Sequence, residues 1–368
     1  MDQFGCLIIC FIVQNFYISL TGVIGDQRFY MGFQGENNAG EAWTLSRTNL
    51  TFTIFKFLRS IFGSYFATYI FPILTTCTIF KLIYSYWKYI PKNIFLISIF
   101  LPHYWVWQSI ASKESITIPI SFIIVFFLAK FLYEKISIYT FSITVILSFL
   151  FAFYRLHYAI SYFWILILTI LIIPILKNED LVKIKFKNYL YVFSSIFLLL
   201  LLITFGVLKD FSSNAIINIF LKSSEYFTLF PNATTTRWDV GFLSIKDIFS
   251  NLFWGIPTSI IGFTPLEILE NPKYIPSFLE GIIAISLIPI INIKLILRSK
   301  KDFKLRFSYF FIFLPSLILI LCAHYPFGIF NPGATIRFKQ NIVAILYFYP
   351  LFLLTFSKYN LRNLNNGK

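Results

Sequence analysis

The chain carries little charge for its size. Only 13% of its 368 residues are charged, whereas 58% are hydrophobic, and the mean hydropathy is +0.75. A water-soluble globule cannot cover so much apolar side chain with so few charged groups. The composition therefore excludes an ordinary soluble domain and predicts an all-α protein that lies in a membrane.

Residues that bind metals and cofactors are also scarce. The four cysteines lie in apolar stretches, and no CxxC or Cys/His spacing is present. The sequence contains no P-loop, dinucleotide-binding fingerprint, HExxH or GxSxG motif. We therefore predict neither a metal nor a cofactor. The net charge of +15 does not indicate nucleic acid, because most of it falls in loops where membrane topology requires it.

The apolar residues form ten runs, each about long enough to cross a bilayer. The runs are 4–24, 62–84, 93–112, 115–133, 139–155, 158–176, 189–208, 275–297, 307–327 and 340–357. They predict a single polytopic domain over 1–368 with about ten transmembrane helices. The first run has no basic residue before it and is interpreted as a retained helix rather than a cleaved signal.

Loop charge predicts the orientation. The loops 85–92, 134–138, 177–188, 298–306 and 358–368 are dense in lysine and arginine, and they alternate with loops that are poor in them. The positive-inside rule puts the dense set, and both termini, in the cytoplasm. The large outer loops are then 25–61 and 209–274. Within the second, 252–263 is apolar but short, which predicts a re-entrant or interfacial segment; an eleventh span is the alternative.

Polar residues that are costly in a membrane gather at the predicted outer ends of the spans. They come from several segments that are far apart in the sequence. They are Asp26, Arg28, His103, Lys113, Glu114, Arg155, His157, Arg237, Asp239, Asn331 and Arg337. Guanidinium groups bind phosphate oxygens in pairs and keep their charge when buried, and a carboxylate or imidazole can take a proton from a hydroxyl. The pattern favours group transfer from a lipid-phosphate carrier.

Four of these segments resemble a known family. The stretch 101–116 (LPHYWVWQSIASKESI) is similar to the tryptophan–lysine–acid segment of bacterial Wzy-like polysaccharide polymerases, which serve O-antigen, capsule and exopolysaccharide synthesis. The stretches 25–30 (GDQRFY), 154–159 (YRLHYA) and 331–338 (NPGATIRF) resemble the family's first outer loop, an arginine turn and an Asn-Gly-Arg loop. The four matches follow one another in the family's order.

The resemblance implies a GT-C-like fold and a metal-independent membrane glycosyltransferase of the bacterial cytoplasmic membrane. It would join undecaprenyl-pyrophosphate-linked repeat units at the periplasmic face, with a flippase and a chain-length regulator as possible partners. In this scheme Arg155 and Arg337 would hold the pyrophosphate, helped by Arg28, Arg237 and Asn331. Lys113 would orient Glu114, and the base would be Glu114, His157 or Asp26.

Two other functions stay open. A transferase that uses a polyprenyl-monophosphate sugar would carry paired acids in the first outer loop, where Asp26 stands alone. A flippase or other transporter would place charged residues near the middle of the bilayer.

Overall fold

The computed structural model describes residues 47–99, 101–135, 137–177, 237 and 245–366. Throughout this part of the chain the regular structure is helical, with no strand, as the composition predicts. The predicted spans 4–24 and 189–208, and most of the two large outer loops, lie outside the described residues.

The described residues fall into two compact units. Unit 1 contains the described chain up to Ala159 together with the chain from Gln340, and unit 2 is Ile160–Lys339.

The helices of unit 1 are separated by short breaks. They are α1 (Arg47–Phe66), α2 (Ile70–Ile83), α3 (Lys92–Ile99), α4 (Pro102–Ser109), α5 (Lys113–Phe131), α6 (Ile138–Tyr154), the start of α7 (Leu156–Lys177) and, near the C-terminus, α15 (Tyr349–Asn366). Gly63 interrupts α1 with a φ of 77°, a conformation that only glycine adopts easily. Lys56 and Arg59, which fall in the predicted outer loop 25–61, are thus part of α1.

Aromatic rings fill the core of unit 1. The central helix α5 packs against α2, α6 and α15. Phe122 and Phe126 of α5 lie edge to face with Phe348 and Phe352, with ring centroids 5.1 and 5.2 Å apart, and Tyr86 meets Phe356 at 4.8 Å. Such pairs contribute beyond the area they bury, so this layer fixes α5 relative to α15.

Unit 2 is built around one short helix. Its helices are the remainder of α7, α8 (Ile245–Ser250), α9 (Leu252–Ile261), α10 (Pro265–Glu270), α11 (Ile275–Ser299), α12 (Phe303–Phe307), α13 (Leu314–Phe330) and α14 (Pro332–Lys339). The ten-residue α9 packs against α11, α13 and α14. It covers most of the predicted segment 252–263 and is far shorter than a span.

Close packing around α9 depends on glycine. A Cβ added at Gly281 of α11 would lie 2.1 Å from the carbonyl oxygen of Ile261, and one at Gly328 of α13 would lie 2.0 Å from the Cβ of Ser259. Neither position has room for a methyl group. Gly262, with a φ of 93°, ends α9, and the capping box formed by Thr264 and Glu267 begins α10.

Within the described residues, five helical segments are long and apolar enough to cross a membrane. They are Ala67–Tyr86, Lys113–Phe131, Leu156–Ile173, Pro272–Ser299 and Phe303–Phe330. A sixth is possible if Pro332–Lys339 and Ala344–Arg362, which meet at 54°, act as one bent span. Ile138–Tyr154 is also apolar, but with 17 residues it is shorter than each of these five segments. Helices long and apolar enough to cross a membrane are thus present, as predicted; ten spans and a GT-C fold are not confirmed.

Three predicted boundaries were wrong. The run 93–112 is two eight-residue helices, because Pro102 restricts Leu101 to an extended conformation and begins α4. Lys113 and Glu114, which separate the predicted runs 93–112 and 115–133, form the first turn of α5 rather than a connection between spans. The residues 328–339, between the predicted runs 307–327 and 340–357, are largely helical, as the end of α13 and the whole of α14.

Candidate functional site

A buried ion pair joins the beginning of α5 to the end of α6. The Nη2 of Arg155 donates to the Oε1 of Glu114. The Arg155 side chain is 6% exposed and that of Glu114 is fully buried. Two of the sequence-predicted residues, 41 positions apart, are thus brought into direct contact.

Local structure explains how each partner is placed. Ser112 caps α5, with its hydroxyl accepting a hydrogen bond from the backbone N–H of Ser115, so Glu114 lies in the first turn. The positive end of the helix dipole favours a carboxylate there. Arg155 occupies the single residue between α6 and α7, and its backbone N–H closes α6 by donating to the carbonyl of Phe151.

The ion pair has polar neighbours on the same helices. The Nζ of Lys113 donates to the hydroxyl of Thr48 at 2.9 Å, which connects α5 to α1. The hydroxyl of Thr117, one turn after Glu114, donates to the side-chain carbonyl of Asn341 at 2.5 Å. Arg47 donates to the backbone carbonyl of Tyr154, the residue before Arg155, at 3.4 Å. The pair therefore lies in a polar region of unit 1 that four segments build.

The other candidate residues are not shown in contact with the ion pair. His157 is half-buried in the first turn of α7, and its ring lies 4.0 Å from that of Tyr158. His103 is buried near the beginning of α4. Asp26, Arg28 and Asp239 lie outside the described residues.

Arg237 has a structural arrangement that the sequence did not indicate. In unit 2, its Nε and Nη2 donate to both carboxylate oxygens of Glu267, at 2.7 and 2.8 Å. Nη2 also donates to the carbonyl of Gly262, and Nη1 donates to those of Gly328 and Ile329. A guanidinium has five N–H donors, and these five contacts use all of them. Arg237 thus ties the end of α9 to the end of α13 and keeps no donor for a phosphate.

Glu267 is correspondingly biased toward its charged form. Burial alone would raise the pKa of its carboxyl group. Hydrogen bonds from Arg237 and from the backbone N–H and hydroxyl of Thr264 outweigh burial and hold the pKa below its usual value.

Asn331 and Arg337, also in unit 2, belong to a helix rather than to a loop: Asn331 immediately precedes α14, and Arg337 lies within it. The Asn331 side chain accepts a hydrogen bond from the backbone N–H of Ala334 at 2.9 Å, as a residue that caps the start of α14 does. Arg337 is half-buried in the same helix, with its guanidinium carbon 5.8 Å from the ring centroid of Phe338.

Sequence analysis missed a second group of buried ionisable residues. Lys339 and Glu280 are about 1% and 2% exposed, and Lys339 Nζ lies 3.8 Å from Glu280 Oε1. Lys339 also donates to the carbonyl of Ile260 at 3.1 Å, and Nε2 of His324 lies 2.9 Å from the carbonyl of Ser259. Together with Arg237 at Gly262, these side chains cover the last carbonyls of α9, which have no partner within the helix. Glu280 and His324 lie inside the predicted apolar runs 275–297 and 307–327. Ionisable residues are costly within such runs, and this was the feature of the sequence that could have identified them.

The described residues contain no group of three or more His, Cys, Asp or Glu that could hold a metal ion. What the arrangement in unit 1 offers is a carboxylate held by a guanidinium, beside a lysine and hydroxyl groups. Such a set can exchange protons with a hydroxyl and can bind phosphate oxygens.

Neither a family model nor a curated protein nor a solved structure matches this chain.

Proposed function

We propose that the protein is a membrane glycosyltransferase that polymerises undecaprenyl-pyrophosphate-linked repeat units at the outer face of the bacterial cytoplasmic membrane. The observation that carries the proposal is the buried pair of Glu114 and Arg155. Its two residues come from two of the four segments that resemble Wzy-like polymerases. The apolar, span-length helices support a lipid-linked substrate.

The chemistry assigns the two charges separate tasks. The glycosidic bond to the pyrophosphate breaks as a new bond forms between the sugar carbon and a hydroxyl of the incoming unit. Glu114 takes the proton of that hydroxyl; His157 and Asp26 are the other candidate bases. Arg155 stabilises the negative charge that develops on the departing undecaprenyl pyrophosphate. Lys113, hydrogen-bonded to Thr48, fixes the turn that carries Glu114.

The arginines proposed for pyrophosphate binding are not equivalent. The donors of Arg237 are all used within unit 2, so we assign it to structure rather than to substrate. Arg155, in unit 1, keeps its proposed role. Arg337 and Asn331, in unit 2, and Arg28, outside the described residues, stay predictions from the sequence.

The test is complementation of a deletion strain, with surface polysaccharide separated by size. Arg155→Lys keeps the positive charge but loses the bidentate hydrogen bonding of a guanidinium, and Arg155→Ala loses both. We expect long chains to give way to single repeat units, completely for Arg155→Ala and partly for Arg155→Lys. Long chains in both variants, at normal protein abundance, would refute the assignment.

Arg306→Ala is a matched control. The Arg306 guanidinium donates to the backbone carbonyls of Ser299 and Lys300, and the segment 298–306 that carries it is predicted to be cytoplasmic. We expect this variant to make chains of normal length.

A second candidate function, transport of the lipid-linked unit, has one observation in its favour. Lys339 and Glu280 are a buried pair, Glu280 lies in the apolar, span-length segment Pro272–Ser299, and charged residues at such positions often mark a transport path. The deletion strain separates the two functions. Loss of a polymerase leaves single lipid-linked units on the outer face of the membrane. Loss of a flippase leaves them on the cytoplasmic face, where they are protected from an added glycosidase.

A further inference from the structure

The side-chain amide of Gln108 has an environment that differs from those of its neighbours. Gln108 is fully buried near the end of α4. Neither its Nε2 nor its Oε1 has a hydrogen-bond partner within the described part of the chain. A buried polar group without a partner is destabilising, so a folded protein rarely keeps one unless something else binds it.

The hydroxyls beside Gln108 are, in contrast, satisfied. Ser109 donates to the carbonyl of Trp105 at 2.9 Å, and Ser112 donates to that of Trp107 at 3.5 Å. The indole N–H of Trp105 donates to the carbonyl of Ile99 at 2.6 Å. The two serine hydroxyls and the indole next to Gln108 thus have partners, whereas within the described residues its amide has none.

The position of Gln108 connects it to the Glu114–Arg155 pair. The residues between α4 and α5 (Ile110, Ala111 and Ser112) are fully buried, and α4 packs against α5. The hydrogen bond from Ser112 to Trp107 links the end of α4 to the cap that places Glu114. Gln108 and Glu114 thus lie at adjoining ends of two helices.

Broken helices support a ligand at this point. The break before Pro102 and the extended residues Ile110 and Ser112 interrupt what hydropathy predicts to be one span. Non-helical backbone at membrane depth occurs where it is buried in protein or lines a polar cavity. In transporters such broken helices hold the substrate.

We propose that Gln108 recognises the sugar of the lipid-linked substrate through a hydroxyl or acetamido group; this inference rests on the proposed function. The chemistry of the amide selects the ligand. An amide donates through Nε2 and accepts through Oε1, and both are without a partner. A phosphate only accepts and would leave Oε1 unpaired. Sugar hydroxyl and acetamido groups donate and accept, so they match both atoms. Gln108 is then a specificity-determining residue, whereas Arg155 binds the pyrophosphate.

The experiment compares three lipids on purified protein in detergent. The probes are undecaprenyl pyrophosphate alone and the same lipid carrying one glucose or one N-acetylglucosamine. The proteins are wild type, Gln108→Met and Gln340→Met, and the readouts are dissociation constants and thermal unfolding midpoints. Gln340 is the matched control: it is equally buried in unit 1 but takes part in an interaction with its neighbours.

We expect wild type to bind at least one of the two sugar lipids about tenfold more tightly than the bare lipid, the size of effect that one or two hydrogen bonds give. Gln108→Met should abolish that preference, keep the affinity for the bare lipid and unfold at no lower temperature than wild type. Gln340→Met should unfold at a lower temperature and keep the preference.

Other results overturn the inference. If Gln108→Met keeps the preference and unfolds at a lower temperature, an ordered water rather than a sugar is the partner of the amide. If wild type binds all three lipids equally, Gln108 has no recognition role, although the proposed function survives. If wild type binds none of them, both the inference and the proposed function fail.

Discussion

Glu114 and Arg155 form an ion pair in which the carboxylate is fully buried and the guanidinium is 6% exposed. Neither charge is easily tolerated alone at such a site, because removing one partner leaves the other without compensation. The pair therefore links the stability of unit 1 to the chemistry that we assign to it.

A double-mutant cycle tests this link. Arg155→Met should lower the free energy of unfolding by about 3–5 kcal/mol, because it leaves a buried carboxylate unpaired. Adding Glu114→Gln to that variant should restore part of the loss. The four proteins are the wild type, the two single variants and the double variant. Their free energies of unfolding are measured in detergent from tryptophan fluorescence.

The result to be expected is strong non-additivity. Lys113→Met with Glu114→Gln is a matched comparison, since Lys113 is hydrogen-bonded to Thr48 and is only half-buried. If the losses for Arg155→Met and Glu114→Gln simply add, the ion pair is not coupled in the folded protein.

The glycines around α9 give a second prediction. Gly281→Ala and Gly328→Ala would place methyl groups 2.1 Å from the Ile261 carbonyl oxygen and 2.0 Å from the Ser259 Cβ. Backbone and Cβ atoms cannot rotate away, so α9 must shift. We expect each variant to lose at least the roughly 1–3 kcal/mol typical of overpacking, measured as a lower unfolding midpoint.

Gly63→Ala is the control for this series. A Cβ at Gly63 would meet nothing within 4 Å, but its φ of 77° strains any other residue. The expected loss, about 1–3 kcal/mol, then comes from the backbone alone. Removing the neighbouring Cβ with Ser259→Gly should not rescue Gly328→Ala, because the Cα of residue 259 would still lie 2.3 Å from the added methyl group. Recovery of the wild-type unfolding midpoint in that double variant would contradict a clash with the backbone of α9.

The pairing of Arg237 with Glu267 gives a pH prediction. Because the pKa of Glu267 is lower in the folded protein than in the unfolded chain, its contribution to stability is complete above the unfolded-state value of about 4.3. The contribution is lost as the pH falls through the folded-state pKa. Unfolding midpoints of wild type should therefore drop more steeply below about pH 4.3 than those of Glu267→Gln.

Arg237→Lys sharpens this test. Lysine cannot reproduce the five contacts of the guanidinium, so the variant should be less stable at neutral pH and less sensitive to acid. Glu270, three residues after Arg237's partner Glu267, has no contact with that arginine among the described residues and offers a control carboxylate. If Glu270→Gln changes the acid dependence as much as Glu267→Gln, the effect is one of net charge.

Sequence reasoning succeeded where one physical term dominates. Apolar composition predicts membrane helices, and Lys113–Phe131, Leu156–Ile173, Pro272–Ser299 and Phe303–Phe330 are close to predicted runs. It also selected Glu114 and Arg155, because charge is costly in an apolar setting. Their pairing across 41 residues was not predictable from local pattern, since it depends on how α5 packs against α6.

The failures arise where local chemistry competes with hydropathy. Pro102 ends the helical conformation before it, although the residues on both sides are apolar. In 328–339, the polar residues suggested a loop, but Asn331 and Pro332 are a favourable start for a helix. Arg237 looked like a ligand for phosphate because its five internal acceptors come from segments that sequence alone does not bring together.

The buried pair of Lys339 and Glu280 separates a structural role from a transport role. If the pair is structural, Lys339→Met should lose about 3–5 kcal/mol of stability, because it removes the buried cation beside the Glu280 carboxylate and the donor to the Ile260 carbonyl. Adding Glu280→Gln should recover much of this loss. Surface polysaccharide in complemented strains should then follow protein abundance and return to normal in the double variant.

A transport path requires the charges themselves. If the pair serves transport, the double variant should be well folded and still inactive. Thermal unfolding and polysaccharide length, measured on the same four proteins, distinguish these outcomes.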